Sequence, residues 1–430
     1  MSHRYLKSEQ WLERALKTIP LGSQTFSKSK TQYPHGVSPF FIEKGLGSHV
    51  WDVDGNEYVD FVNSLAAITL GHNDPDVTGA VSTQLEQGTL FSLPHRLEVE
   101  VAEQIVKMVP CAEMVRFGKN GSDATTGAVR LARALTGRDH VALCGYHGWQ
   151  DWSIGVTSRH QGVPEAVRGL SHAFQYNDLD SLHQIFVSYP DQIAAVILEP
   201  MNVEFPRDGF LHNVRKLCDQ YKTLLIFDEV VTGFRLALGG AQDLLGVTPD
   251  LACFGKGLAN GFPLSAIAGR EKFMNFYEEV FFSFTFGGDA LALAAALATL
   301  KKLEQEPVLQ NMAQRGLVVK EGTERLLKQW GLEEYVTISG HPAWSFLRFR
   351  SVSNVNEWEV KTLFLQEVFC RGILSLGTHN MSYAHSDSDV ECLLRVYGEV
   401  FPIIADAVHK KDVLARLHCV PLRPLFKVRG

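Results

Sequence analysis

Two carboxylates and a lysine stand in this chain where chemistry is possible. The stretch Leu224-Leu-Ile-Phe-Asp-Glu-Val-Val-Thr-Gly-Phe-Arg235 begins with a short apolar run and stops at Asp228 and Glu229. Further on, a second apolar run ends at Gly255-Lys256-Gly257. Short apolar runs suit buried parallel strands, and such sheets bind ligands beyond the C-terminal ends of their strands. One strand then ends in an acid, and a neighbouring one ends in a lysine between glycines. A lysine amine forms a Schiff base with an aldehyde, and an acid keeps a pyridine nitrogen protonated. Those are the two demands of pyridoxal phosphate chemistry, in which the protonated ring is an electron sink. The flanking glycines let the backbone turn and leave room for a ring. Taken singly, a loop lysine reads as a solvated charge and an acid after a strand as a turn or helix cap. The pairing is what points to catalysis.

The elements that must position these groups can be read along the chain. Residues 5–19 place Tyr5, Leu6, Trp11, Leu12, Ala15 and Leu16 at helical spacing, which predicts a surface helix packed on the body. Residues 21–39 read as a loop, and residues 40–62 as two or three strands with Asp54-Gly55-Asn56 as a hairpin turn. Gly71-His-Asn-Asp-Pro75 opens a helix, with Asn73 or Asp74 as cap and Pro75 in the first turn.

Val115-Arg-Phe-Gly-Lys-Asn-Gly-Ser-Asp-Ala-Thr125 predicts a strand, a glycine turn and a long helix. A helix N-terminus offers free N–H groups and the positive end of a dipole, which suits a phosphate. The same residues also make an ordinary capped helix, with Ser122 or Asp123 as cap. Val141-Ala-Leu-Cys-Gly-Tyr-His-Gly-Trp149 is another strand, ending in Tyr146 and His147. A tyrosine ring there can stack on a pyridine face, and His147 reads as a packed neighbour. Ile193-Ala-Ala-Val-Ile-Leu-Glu-Pro200 is a buried strand that puts Glu199 at the ligand edge. Residues 209–223 form the helix that follows, and Ala290 to Leu300 a buried alanine-rich helix. Glu304 to Trp330 reads as one long charged helical stretch. Strands near 335–339 and 346–351 and helices at 356–371 and 387–407 complete an α+β layer, the last helix capped by Ser386 or Asp387.

Composition sets bounds. A chain of 430 residues can bury a large core and should form one big domain and a smaller one. A net charge of −7 argues against nucleic acid or an anionic membrane as partner. The 7 cysteines are odd in number and lack metal or redox spacing, which predicts reduced thiols in a cytoplasmic protein. The N-terminus has no apolar core of a secretory signal, and the longest apolar run is too short to span a bilayer.

Phe227-Asp-Glu-Val-Val-Thr-Gly-Phe-Arg235, then Pro249-Asp250 and Gly255-Lys256-Gly257, resembles the core signature of the class III aminotransferases. The branch that contains glutamate-1-semialdehyde 2,1-aminomutase is the most similar, with matches in order from about residue 36 to residue 402. The resemblance implies the α/β fold type I of pyridoxal enzymes. A large cofactor domain with a mostly parallel sheet spans 65–300, and a smaller domain is built from 1–64 and 301–430. It implies that Lys256 forms the Schiff base and then moves a proton between Cα and C4′, and that Asp228 holds the pyridinium proton. Tyr146 stacks on one face of the ring, with His147 beside it, and Val230 presses on the other. Glu199 supports the site. Gly121 and Ser122 bind phosphate, with Asn120-Gly121-Ser122-Asp123-Ala124 standing for the family's Ser-Gly-Thr-Glu-Ala. Thr285, donated from the neighbouring subunit, completes the phosphate site, so the resemblance implies a homodimer with shared active sites.

Three departures bear on the reaction. The mutase branch carries an arginine that grips the substrate carboxylate, whereas Gly22-Ser-Gln-Thr-Phe-Ser-Lys-Ser-Lys30 has none. The family's Ser-Trp-Gly is Ser64-Leu65-Ala66, and the loop before the alanine-rich helix is Phe284-Thr-Phe-Gly-Gly-Asp289 rather than a Gly/Ser-rich gate. These favour an aminotransferase that takes an amino group from a donor such as L-glutamate. Its carbonyl acceptor is expected to be a sugar or small phosphorylated ketone of glycan biosynthesis. The alternative is the intramolecular aminomutase of tetrapyrrole synthesis. A nucleotide-binding enzyme is disfavoured because no Gly-x-Gly-x-x-Gly or Walker-type lysine follows the early strands. A regulator without turnover is disfavoured by the presence of both Asp228 and Lys256.

Overall fold

The computed structural model describes residues 3–425. They form two compact units. One runs from the start of the described chain to Leu65 and takes in Thr69–Asp74 and Gln310–Leu425. The other comprises Ala66–Ile68 and Pro75–Leu309.

The first unit opens with the helix Leu6–Leu16, which buries Leu12 and Ala15 and leaves Leu6, Trp11 and Leu16 exposed. Only part of the expected apolar stripe therefore faces inward, and Trp11 instead lies under the Arg14 guanidinium, 4.2 Å from the ring centre. The strands β1 (Ile42–Leu46), β2 (His49–Asp52) and β3 (Glu57–Asp60) form an antiparallel meander. Asp54 of the predicted hairpin turn caps the first helix, accepting from the N–H of Lys7 at 2.6 Å and of Ser8 at 2.8 Å.

The second unit holds a seven-stranded sheet. Its strands are β4 (Met114–Gly118), β5 (His140–Cys144), β6 (Ser171–Ala173), β7 (Ile193–Leu198), β8 (Leu224–Asp228), β9 (Leu251–Phe254) and β10 (Ser265–Gly269), in the order β4-β10-β9-β8-β7-β5-β6. The pairs from β6 to β9 are parallel, and β10 runs antiparallel to both its neighbours. Every residue of β7, β8 and β9 is buried, as their unbroken apolar runs require of strands covered on both faces. One apolar layer gathers Ile197, Ile226 and Cys253 with the helix Gly121–Thr136. The other gathers Val196, Leu225 and Phe227 with the helix Phe210–Tyr221.

The predicted stretch from Glu304 to Trp330 is two helices, Ala290–Gln305 and Val308–Gln329. Pro307 lacks an N–H and separates them. The first unit is completed by β11 (Val336–His341), β12 (Trp344–Phe349), β13 (Ile373–Leu374) and β14 (Thr378–Asn380). Helices Glu357–Cys370 and Asp387–Lys410 follow the predicted spans, and Ser386 caps the latter. Among the described residues no helix is long and apolar enough to cross a membrane.

Candidate active site

The parallel strands and β4 run the same way, so their C-terminal ends meet at one edge of the second unit's sheet. That edge carries Lys119–Ser122 after β4, Gly145–Gly148 after β5, Glu199 after β7, Asp228 ending β8, and Gly255–Lys256 after β9. The predicted site residues other than Thr285 thus come from strand ends along one edge of the sheet.

Asp228 is buried and held by two bonds. Its Oδ1 accepts from Val230 N at 3.1 Å, and its Oδ2 lies 2.8 Å from Nδ1 of His147. Nε2 of His147 faces the Cys144 carbonyl at 3.0 Å, and a carbonyl only accepts, so that nitrogen carries a proton. The histidine is pinned in turn: its N–H donates to Ser153 Oγ at 3.3 Å and its carbonyl accepts from Thr125 Oγ1 at 2.6 Å. His147 is thus a partner of Asp228 rather than mere packing.

Lys256 opens a short turn, Lys256–Ala259, with φ of 42°, a left-handed conformation that side chains rarely adopt. Burial lowers the proton affinity of its amine, Glu199 and Asp228 raise it, and Arg235 lowers it; the net direction is down. Glu199 moves the other way. Burial first and the Asp228 charge second push it up to about 7, against the pull of His147, Lys256 and a 2.9 Å bond from Asn202 Nδ2. Burial, then Asp228, push the Tyr146 hydroxyl up.

The helix Gly121–Thr136 aims its N-terminus at this edge. Its cap is Asn120, not Ser122 or Asp123. The Asp123 carboxylate turns back onto the N–H groups of Asn120 at 2.8 Å and Lys119 at 3.0 Å. The first-turn N–H groups of Gly121 and Ser122 have no partner within the helix, so the end can take an anion. Two close approaches demand glycine. A Cβ on Gly121 would stand 2.8 Å from Val230 Cγ1, and one on Gly148, at φ of 120°, would stand 2.4 Å from Ser122 Cβ. Thr285 lies in the exposed segment before the helix Ala290–Gln305 and makes no hydrogen bond to this cluster.

Reading along the sequence named Glu229 without giving it a role and missed two further features. Glu229, fully buried, accepts from Thr232 Oγ1 at 2.6 Å, Ala241 N at 2.7 Å and Gln242 N at 2.9 Å, which fixes the loop after β8. Arg235 closes the signature stretch and is completely buried, and its only flag was its place in the motif. Asn63, Ser64, Leu65 and Ala66 have φ of 45°, 51°, 61° and 68°, four left-handed residues in a row with no glycine to signal them.

A large, mostly parallel sheet with this constellation at its C-terminal edge defines the fold type I of pyridoxal-phosphate enzymes. The chain belongs to the class III aminotransferases, whose family profile matches residues 32–379, and it is an enzyme that depends on pyridoxal 5′-phosphate. It is 34% identical over 394 residues to the 3-aminobutyryl-CoA aminotransferase of Cloacimonas acidaminovorans, covering 89% of this chain and 94% of that protein. It is 37% identical over 394 residues to a glutamate-1-semialdehyde 2,1-aminomutase of Desulfitobacterium hafniense, covering 85% and 91%. Among solved structures it resembles the FumI protein of Sphingopyxis sp. MTA144 in its pyridoxal-phosphate form, with a TM-score of 0.88, 29% identity and 97% and 99% of the chains covered.

Proposed function

We propose that this enzyme transfers an amino group from an amino-acid donor, L-glutamate being the first to test, to a small carbonyl acceptor, with Lys256 as the reacting amine. The observation that carries the reading is the meeting of Lys256, Asp228 and Glu199 at adjacent strand ends, where the amine's proton affinity is lowered. The donor set fits the cofactor: an amine for its aldehyde, the buried carboxylate of Asp228 for its pyridine nitrogen, and the helix end at Gly121 and Ser122 for its phosphate. When bound, pyridoxal 5′-phosphate supplies an electron sink that makes a substrate Cα–H acidic. The residues do the rest. Lys256 Nζ would take the Cα proton and return it two bonds away, on the far side of the substrate nitrogen. His147 Nδ1 orients Asp228 Oδ2, while Val230 and Tyr146 confine the ring and exclude water.

A homodimer with Thr285 shared across subunits belongs to the same proposal. Its support is an apolar surface on the second unit, where Leu93 and Phe281 are 79% and 75% exposed and a groove of about 610 Å³ is lined by Val99, Val106, Met114 and Phe284. Seven unpaired thiols support a reducing, cytoplasmic setting.

The aminomutase is the second reading, favoured by the relatives that carry that name. Against it stands the segment Gly22–Lys30, which offers no arginine; its Lys28 Nζ instead meets Ser64 Oγ at 3.2 Å. The test is the absorbance of the holoenzyme before and after L-glutamate. Bleaching of the visible band, reversed by a carbonyl acceptor, supports the transferase. The acceptor panel includes a 3-oxoacyl thioester, a ketosugar and a small phosphorylated ketone. A band that no amino donor bleaches, with turnover of glutamate-1-semialdehyde, establishes the mutase instead.

A further inference from the structure

Arg235 is the largest side chain that the structure buries completely. Its Nη2 donates to the Ala66 carbonyl at 3.0 Å. Ala66 ends the run of four left-handed residues, and a buried cation and a strained run are both costly. Costs of this kind persist where the surroundings over-determine them, and they gather at working sites. Arg235 also acts on Lys256. Of the charged groups that bear on that amine, Glu199 and Asp228 favour its protonated form and Arg235 favours the neutral one.

We propose that Arg235 is a positioning residue for the reaction: it pins the carbonyl end of the turn Asn63–Ala66, while the adjoining Phe234 packs on Phe254, two residues before Lys256, with ring centres 5.1 Å apart. One residue then both fixes a strained backbone and biases the proton of the reacting group. The proposal rests on Lys256 being the cofactor lysine.

The test uses holoenzyme of Arg235→Gln and Arg235→Lys, with thermal melts and cofactor content as controls. The first readout is the pH midpoint of the visible band of the resting holoenzyme. The second is hydrogen exchange of the amides from Val62 to Ile68. Arg235→Gln removes the cation, so the midpoint should rise by about one pH unit, a tenfold change in proton concentration. Arg235→Lys keeps the charge and the midpoint, but loses the planar fork, so exchange in the turn should quicken about tenfold. An Arg235→Gln protein that folds, holds cofactor and keeps the wild-type midpoint overturns the electrostatic role. If that variant fails to fold, Arg235→Lys decides, and wild-type exchange in the turn overturns the anchoring role. A visible band that survives in Lys256→Ala overturns the reading on which both rest.

Discussion

Lys256 and Glu199 shift in opposite senses for one reason: each is taken out of water, and burial disfavours whichever form is charged. Near pH 7 Glu199 is part acid and part carboxylate, and only the carboxylate attracts the lysine's proton. Glu199→Gln should therefore lower the Lys256-linked midpoint, the opposite sign to Arg235→Gln, and should remove an ionisation near pH 7 from the kcat/KM profile. An unchanged profile would show that Glu199 does not titrate with the reaction. Lys256→Ala should reduce turnover about 10²–10⁴-fold, the contribution of a positioned proton-transfer group. His147→Ala should retain cofactor yet slow kcat, because Asp228 keeps the Val230 bond and loses its other partner. A kcat equal to wild type would reduce His147 to packing.

At the scale of elements, strand ends were legible because a buried parallel strand writes itself as an apolar run, and Asp228, Glu199 and Lys256 follow such runs directly. The bond from His147 to Asp228 was not legible, since it joins residues 81 apart that only the sheet order brings together. The cap at Asn120 was misassigned because Ser122 and Asp123 are equally good cap types, and the choice depends on where β4 releases the chain. The left-handed turn was hidden because its residues give no glycine signal, although it costs about 1–2 kcal/mol per residue. Part of its support is mutual, with Asn63 Nδ2 donating to Asn380 O at 2.6 Å and Asn380 Nδ2 to Val62 O at 2.7 Å.

The same unit buries two histidines in their neutral form. His379 lies between Ser345 Oγ at 2.9 Å and the Tyr397 hydroxyl at 2.7 Å, and His385 accepts from Ser382 N at 2.9 Å. Burial first, then the neighbouring His385, lower His379 to about 3. Burial lowers His385 to about 4. Both values lie below the ordinary 6.5, so as pH falls the unfolded chain takes up protons before the folded one does. Their stabilisation is complete above about pH 6.5 and is lost as pH falls toward 3 to 4, at about 1.4 kcal/mol per histidine per unit. Urea unfolding at pH 7 and pH 5 should differ by several kcal/mol. Equal midpoints would contradict the burial of both rings.

For the whole molecule, the fold class and the family were readable from order and spacing over most of the chain, whereas a role for Thr285 came from the resemblance alone, since within one chain that residue is exposed. If the exposed apolar surface is the subunit contact, Phe281→Asp with Leu93→Asp should convert dimer to monomer in light scattering. Cofactor affinity should fall with it. A double variant that stays dimeric places the contact elsewhere. The claim on which all scales depend is that Lys256 is the residue the cofactor attaches to. Reduction of the holoenzyme with borohydride, followed by peptide mass analysis, tests it directly. The account predicts the added pyridoxyl mass on the peptide that contains Lys256 and on no other. The same mass on a different lysine, or none, would contradict it.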